Sequence, residues 1–163
     1  MQIFFLSDWV MLILFIVLWF CFQAGPAWLC FHKSDDYFKK DSFLYRTRSW
    51  EKNGAFYEKW FMIKRWKKYL PDGGGLFKNG YAKRQIVDFS IENLERYLLE
   101  SRRAELTHWL AIFPFWVFGL FAPPRVIWIM LVYALLVNLP CIIAQRYNRP
   151  RIMKLLKKKQ TQL

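Results

Sequence analysis

Glu105 and His108 stand three residues apart, so in a helix both project from one face. A carboxylate one turn from an imidazole can orient the ring and stabilise its charged form, the arrangement a general base needs near neutral pH. Two plainer roles suit the same residues. Arg102 can satisfy the acid in a structural ion pair, and His108 can serve as a hydrogen-bonding residue at a membrane boundary. Glu-x-x-His also ligates metals, but such sites use two copies with further carboxylates. Only one copy is found, and no metal site is expected. A second polar cluster, Gln145-Arg146-Tyr147-Asn148-Arg149-Pro150-Arg151, closes a hydrophobic run. Arg146, Arg149 and Arg151 carry planar forks that can grip a phosphate-bearing donor, and each can equally anchor on lipid headgroups. Anchoring does not call for the amides Gln145 and Asn148. Inside the run, Asn138 and Pro140 carry a cost, because an unpaired amide is unfavourable there and a proline removes a backbone bond. Asn138 is expected to bond across helices or to the backbone that Pro140 frees.

The elements that hold these residues are apolar helices. The chain has 163 residues, 55% hydrophobic and 20% aromatic, with a formal charge of +13. That combination points to a bilayer with anionic headgroups. Nucleic acid is the other usual partner of such charge, but three long hydrophobic runs have no use there, so no nucleic-acid partner is expected. The reading is an all-α integral membrane protein forming a single membrane domain. Its first transmembrane helix covers about 3–23 and is ended or kinked by Gly25-Pro26, with 27–31 continuing at the interface. No Lys or Arg precedes this run, so it is read as a retained helix rather than a signal peptide. A cytoplasmic or interfacial segment covers 32–103. The second span covers 104–121, since Trp109–Phe121 alone is too short and must begin upstream. Ala122-Pro123-Pro124-Arg125 is a tight turn. The third span covers 126–145, followed by a basic tail at 146–163. Residues 32–108 hold 17 of the 25 Lys and Arg and the tail holds 7. Three spans put both basic segments on one side, which makes a multi-pass cell-membrane protein with its N-terminus out and C-terminus in.

Between the first two spans, Phe56, Trp60 and Ile63 fall at i, i+4 and i+7, one helical stripe among six cations from Trp50 to Leu70. The expectation is an interfacial amphipathic helix with Lys52, Lys59, Lys67 and Lys68 toward headgroups, an ordinary surface helix being the alternative. Leu70-Pro71-Asp72-Gly73-Gly74-Gly75 reads as a flexible turn, and Asp88 and Ser90 offer a helix start. Cys21, Cys30 and Cys141 are expected as reduced, packed thiols. The Pro-Pro turn folds the second and third spans into a hairpin, which sets His108 level with about Leu139, Glu105 with about Ile142 and Arg102 with about Gln145. Both polar clusters then meet at the cytoplasmic boundary.

Several segments resemble a known family, the glycosyl-4,4'-diaponeurosporenoate acyltransferases, small membrane enzymes of staphyloxanthin-type carotenoid synthesis. The resemblance rests on Asp41-Ser42-Phe43-Leu44-Tyr45-Arg46 with Trp50-Glu51, and on Ile63-Lys64-Arg65-Trp66-Lys67 with Leu70-Pro71. Arg103-Ala104-Glu105-Leu106-Thr107-His108 and Asn138-Leu139-Pro140-Cys141-Ile142 with Gln145-Arg146-Tyr147-Asn148-Arg149 complete it. The resemblance implies transfer of a fatty acyl group to a sugar hydroxyl of a glycosylated carotenoid or related glycolipid at the inner membrane face. The donor expected is an acyl thioester, acyl-CoA, acting as co-substrate with no resident cofactor. His108 would act as base with Glu105 holding its ring. Arg146, Arg149 or Lys67 would bind donor phosphates, and Gln145 or Asn148 would stabilise the oxyanion. Arg102, Arg103, Asn138, Tyr147, Arg65 and Trp66 are the remaining candidates for substrate binding. The His-x4-Asp signature of soluble-loop glycerolipid acyltransferases is missing, since His108 has no acid five residues on. The rival reading is a non-enzymatic lipid-binding or scaffold subunit of a membrane biosynthetic complex.

Overall fold

The computed structural model describes residues 2–40, 42–70 and 89–162, and the regular elements among them are all helical. Asp41, the glycine-rich turn beyond Leu70 and Asp88 of the expected helix start lie outside the described residues. The chain divides into two compact units, one from Met1–Lys33 with Leu106–Leu139, the other from Ser34–Glu105 with Pro140–Leu163.

The first unit is built on helix α1 (Asp8–Phe31), whose N-terminus carries Asp8 in its first turn, where a negative charge meets unpaired N–H groups. Met11, Phe15, Leu18 and Phe22 recur at helical spacing and pack against buried Phe118 and Phe121. Phe15 stacks on Phe118 with ring centroids 5.0 Å apart. The opposite side exposes Trp9, Ile13, Ile16 and Phe20, which an aqueous surface helix would not do. Of the expected end or kink at Gly25-Pro26, the end is corrected: the helix runs through both residues to Phe31. A proline's φ fits a helix, and although it removes one backbone bond and crowds the carbonyl one turn back, surrounding packing can carry the helix past it. The helix ends where the backbone N–H and ring Nδ1 of His32 both donate to the Trp28 carbonyl, at 3.1 and 2.9 Å.

Helix α5 (Ile91–Ile112) opens at Ser90, whose hydroxyl accepts from the Asn93 N–H at 3.3 Å, a helix-capping bond. It ends as Pro114 withdraws a donor, and Phe113–Leu120 continues as a 3-10 helix. A 3-10 helix rises about 2.0 Å per residue against about 1.5 Å for an α-helix, so this tightening lengthens a run that is short in sequence. The turn follows at Ala122-Pro123, and Pro124 takes the first position of helix α6 (Pro124–Gln160), where its missing N–H costs nothing. Helix α6 passes through Pro140 and Pro150. Helices α1 and α6 are both long and apolar enough to cross a membrane.

The second unit adds α2 (Asp35–Lys39), a 3-10 turn at Ser49–Gly54, α3 (Ala55–Phe61), α4 (Ile63–Trp66) and a short 3-10 helix at Lys67–Tyr69. Leu94, Tyr97 and Leu98 of α5 pack on Ile152 of α6, while Tyr57 and Ile63 pack on Ala144 and Tyr147. The expected single stripe of Phe56, Trp60 and Ile63 is not formed. Met62 adopts the left-handed conformation (φ 46, ψ 38), which stops α3 and starts α4 in a new direction. Ile63 is thereby fully buried while Trp60 stays 68% exposed. Two further left-handed residues, Lys52 and Asn53, precede Gly54 at φ 89. A Cβ on Gly54 would lie 2.9 Å from the Tyr147 carbonyl oxygen, a backbone atom that cannot step aside.

Gly54→Ala is therefore expected to destabilise the protein by about 1–3 kcal/mol, combining left-handed strain with a clash. Thermal unfolding in detergent micelles reads this as a lowered midpoint.

Candidate active site

In the first unit, α5 and α6 bring His108 against Asn138. The Asn138 Nδ2 donates to the Ala134 carbonyl, one turn back, at 3.0 Å, which fixes which way the amide points. Its Oδ1 then lies 2.9 Å from His108 Nδ1. An amide oxygen only accepts, so Nδ1 carries the proton and Nε2 holds the lone pair of the neutral ring. Asn138 is completely buried and His108 half-buried. The Asn138 amide thus holds the ring through Nδ1. The expected cross-helix bond from Asn138 is formed, and its second bond goes to the Ala134 carbonyl, where the loss of the Pro140 N–H frees that of Leu136. A cavity of about 340 Å³ in this unit is lined by Trp28, Leu29, Cys30, Leu106 and Leu110, with His32 and Lys33. Leu106 and Leu110 lie two residues either side of His108, on the roughly opposite face of α5, so the cavity is separate from the imidazole.

Two acids and two arginines form a buried, charge-balanced chain in the second unit. Arg146 Nε donates to Glu105 Oε1 at 2.7 Å, and its NH1 donates to Glu51 Oε1 at 2.7 Å. Arg149 donates to the other oxygen of Glu105. Glu51 also accepts from the Tyr57 hydroxyl at 2.5 Å and from the Arg48 backbone N–H at 2.6 Å. Other guanidinium N–H groups go to backbone, Arg146 to the Leu44 carbonyl, Arg149 to Tyr45 at 2.9 Å and to Ser101 at 3.3 Å, while Arg149 Nε is buried without a hydrogen-bond partner among the described residues. Glu51 and Glu105 are at most 1% exposed. Burial alone pushes the Glu51 carboxyl up, but bonds from Tyr57, Arg146 and Arg48 outweigh it and hold it below the usual glutamate value of 4.5. Burial, then the bond to the Glu51 carboxylate, raises Tyr57 above the ordinary phenol range.

The other expected residues have separate placements. Arg102 donates to the Phe38 and Lys39 carbonyls, at 2.8 and 2.9 Å, at the C-terminal end of α2, where a cation is favoured. Arg103 pairs with Glu100 and Asp35 and lies over the Phe38 ring. Both therefore fasten α2 to α5. The Trp66 indole donates to the Phe61 carbonyl at 2.7 Å, and Arg65 is exposed. Lys67, Tyr147 and Asn148 come together: Lys67 Nζ donates to Asn148 Oδ1 at 3.2 Å and lies 4.8 Å from the Tyr147 ring centroid. Arg151 lies 3.6 Å from that centroid and pairs with Glu58 at 3.1 Å, and Glu58 also takes Lys64. Burial, then the like charges of Arg151 and Lys64, lowers the Lys67 pKa below its usual 10.5. Three cations thus surround one carboxylate. The Gln145 Oε1 is buried with no hydrogen-bond partner among the described residues.

Glu51, Tyr57 and Glu58 were not among the expected site residues. The sequence held a signal for two of them: Glu51 and Glu58 are the only acids from Ser42 to Leu70, a strongly basic stretch. Among the described residues no group of His, Cys, Asp and Glu could hold a metal ion. None of the three cysteines is in a disulfide; Cys30 and Cys141 are buried and Cys21 is exposed.

Residues 40–158 match the glycosyl-4,4'-diaponeurosporenoate acyltransferase family. A glycosyl-4,4'-diaponeurosporenoate acyltransferase of Staphylococcus aureus (strain MRSA252) is 38% identical over 140 residues, covering 85% of this chain and 84% of that protein. The enzyme of the same name from S. aureus (strain bovine RF122 / ET3-1) is 37% identical over 139 residues, with the same coverage. No solved structure matches. The chain belongs to the glycosyl-4,4'-diaponeurosporenoate acyltransferase family.

Arg146→Met takes a partner from two buried carboxylates at once and is expected to cost about 3–5 kcal/mol in unfolding experiments. The pH dependence has a defined sign. Because the folded chain holds Glu51 below its unfolded value, that stabilisation is complete above about pH 4.5 and is lost as pH falls through the folded pKa. Midpoints measured from neutral to acid pH should fall more steeply for the native chain than for Glu51→Gln.

Proposed function

We propose that this member of the family transfers a fatty acyl group from acyl-CoA to a sugar hydroxyl of a glycosylated carotenoid, with His108 as general base. The acceptor class follows the name its relatives carry. The base assignment is carried by one observation, the Asn138–His108 hydrogen bond that sets the ring's tautomer. In the step, His108 Nε2 takes the proton of the acceptor hydroxyl as its oxygen attacks the thioester carbonyl. The tetrahedral intermediate collapses, the C–S bond breaks, and the imidazolium returns its proton to the departing thiolate. Asn138 is a positioning residue that holds the Nδ1 proton, so that Nε2 carries the lone pair whenever the ring is neutral.

For the donor phosphates we assign Lys67, Asn148 and Arg151 in the second unit, because three cations around Glu58 leave an excess of positive charge there. The guanidinium groups of Arg146 and Arg149 are occupied by Glu51, Glu105 and backbone carbonyls, which argues against a phosphate role for them. Glu105 is read as the anchor of that ion chain, and the orienting contact on the His108 ring comes from Asn138. The proposed topology is three spans, with 104–121 joining the two apolar helices, the N-terminus outside and the basic segments in the cytoplasm, where acyl-CoA is found.

Purified protein in lipid vesicles with labelled acyl-CoA and a glycosylated carotenoid tests the reading. His108→Ala should reduce turnover by about 100-fold or more while the protein stays folded. Undiminished transfer would sink the base assignment. Asn138→Leu should lower kcat with little change in KM for the donor. Lys67→Ala should do the reverse, raising the acyl-CoA KM and sparing kcat.

A further inference from the structure

We propose that Trp60-Phe61-Met62 is a wedge that enters the headgroup region of an anionic lipid surface. The three residues are consecutive, large, apolar and exposed at 68%, 43% and 52%. A continuous helix would spread them over about 200°, so they could not share one side. The left-handed Met62 ends α3 at Phe61, so the three do not follow one continuous helical path. Glycine would hold this backbone without strain, yet the position carries a flexible apolar side chain turned outward. Ring contacts extend the apolar surface: Phe56 lies 6.4 Å from Trp60, 6.0 Å from Phe61 and 5.0 Å from Trp50, itself 52% exposed.

Charge selects the occupant. Lys52, Lys59, Arg65 and Lys68 are exposed in the same stretch of chain, and Lys59 Nζ sits 5.9 Å from the Trp60 ring. The two acids of this stretch do not offset them, since Glu51 is buried in its ion chain and Glu58 is paired with Lys64 and Arg151. A second copy of this chain would bring a charge of +13 to a surface already positive. Protein interfaces are depleted in lysine, whereas aromatic bodies rimmed by lysine are the pattern of segments lying at an anionic bilayer surface. The wedge rests on the reading that α1 lies within a bilayer, and the test separates the two.

The full-length protein is reconstituted into vesicles of phosphatidylglycerol and phosphatidylcholine, with photoreactive p-benzoylphenylalanine in place of Trp60, Met62, Ile16 or Glu92. Ile16 faces outward on α1 and Glu92 is exposed on the polar start of α5. After irradiation, mass spectrometry should find lipid adducts at 60 and 62 several-fold above position 92, with phosphatidylglycerol enriched over its share of the vesicle. Adducts at 16 but not at 60 or 62 overturn the wedge and leave the span standing. Adducts at 60 and 62 but not at 16 support the wedge and count against α1 as a span. A protein–protein cross-link at 60 or 62 overturns the proposal in favour of a docked chain, and adducts without lipid preference overturn its anionic part.

Discussion

The carboxylate of Glu105 is completely buried, and a charge in that position persists only if its neighbours neutralise it and fill its lone pairs. Arg146 and Arg149 do both, and Arg146 then reaches on to Glu51. The resulting chain of alternating charges constrains everything near it. Glu51 must point inward from the Ser49–Gly54 turn, which explains why a run of positive φ values, normally costly outside glycine, persists at Lys52, Asn53 and Gly54. The Leu44 and Tyr45 carbonyls must face the guanidinium edges. Once these requirements are met, the two arginines have little left to offer a ligand.

That constraint redistributes the chemistry. With Arg146 and Arg149 occupied, the donor-phosphate role proposed above goes to Lys67 and Arg151, which both lie against the Tyr147 ring. Glu105 is held by arginines, and a neutral amide contacts the His108 ring. A carboxylate there would stabilise the imidazolium more strongly, but it would add another buried charge needing its own partner. Asn138 satisfies itself on the Ala134 carbonyl and still selects the tautomer. An amide is the less costly way to orient a histidine between apolar helices.

Some of this architecture was open to reading along the chain. The apolar runs marked α1 and the first part of α6, and the paired prolines marked the turn between α5 and α6 because neither can extend a helix from the preceding side. The registers that turn implies are close to the contacts seen, His108 with Asn138 in one unit and Glu105 with Arg146 in the other. The stripe of Phe56, Trp60 and Ile63 misled because periodicity assumes a continuous helix. Ile63 gains more by joining Tyr57, Ala144 and Tyr147 than the chain loses at a left-handed Met62, and that comparison involves residues far away in sequence. Pro26 misled in the opposite direction, since α1 packs on Phe118 and Phe121 and continues past the proline to Phe31.

The sequence by itself determined the helical class, the family and the apolar character of α1 and the first part of α6. Those follow from composition, local periodicity and motif, which neighbours along the chain are enough to specify. Tertiary structure alone decided which acid holds which cation and which side chain holds the histidine. Ion pairs and hydrogen bonds depend on ångström-scale distances between segments remote in the chain, and residue spacing carries no record of them.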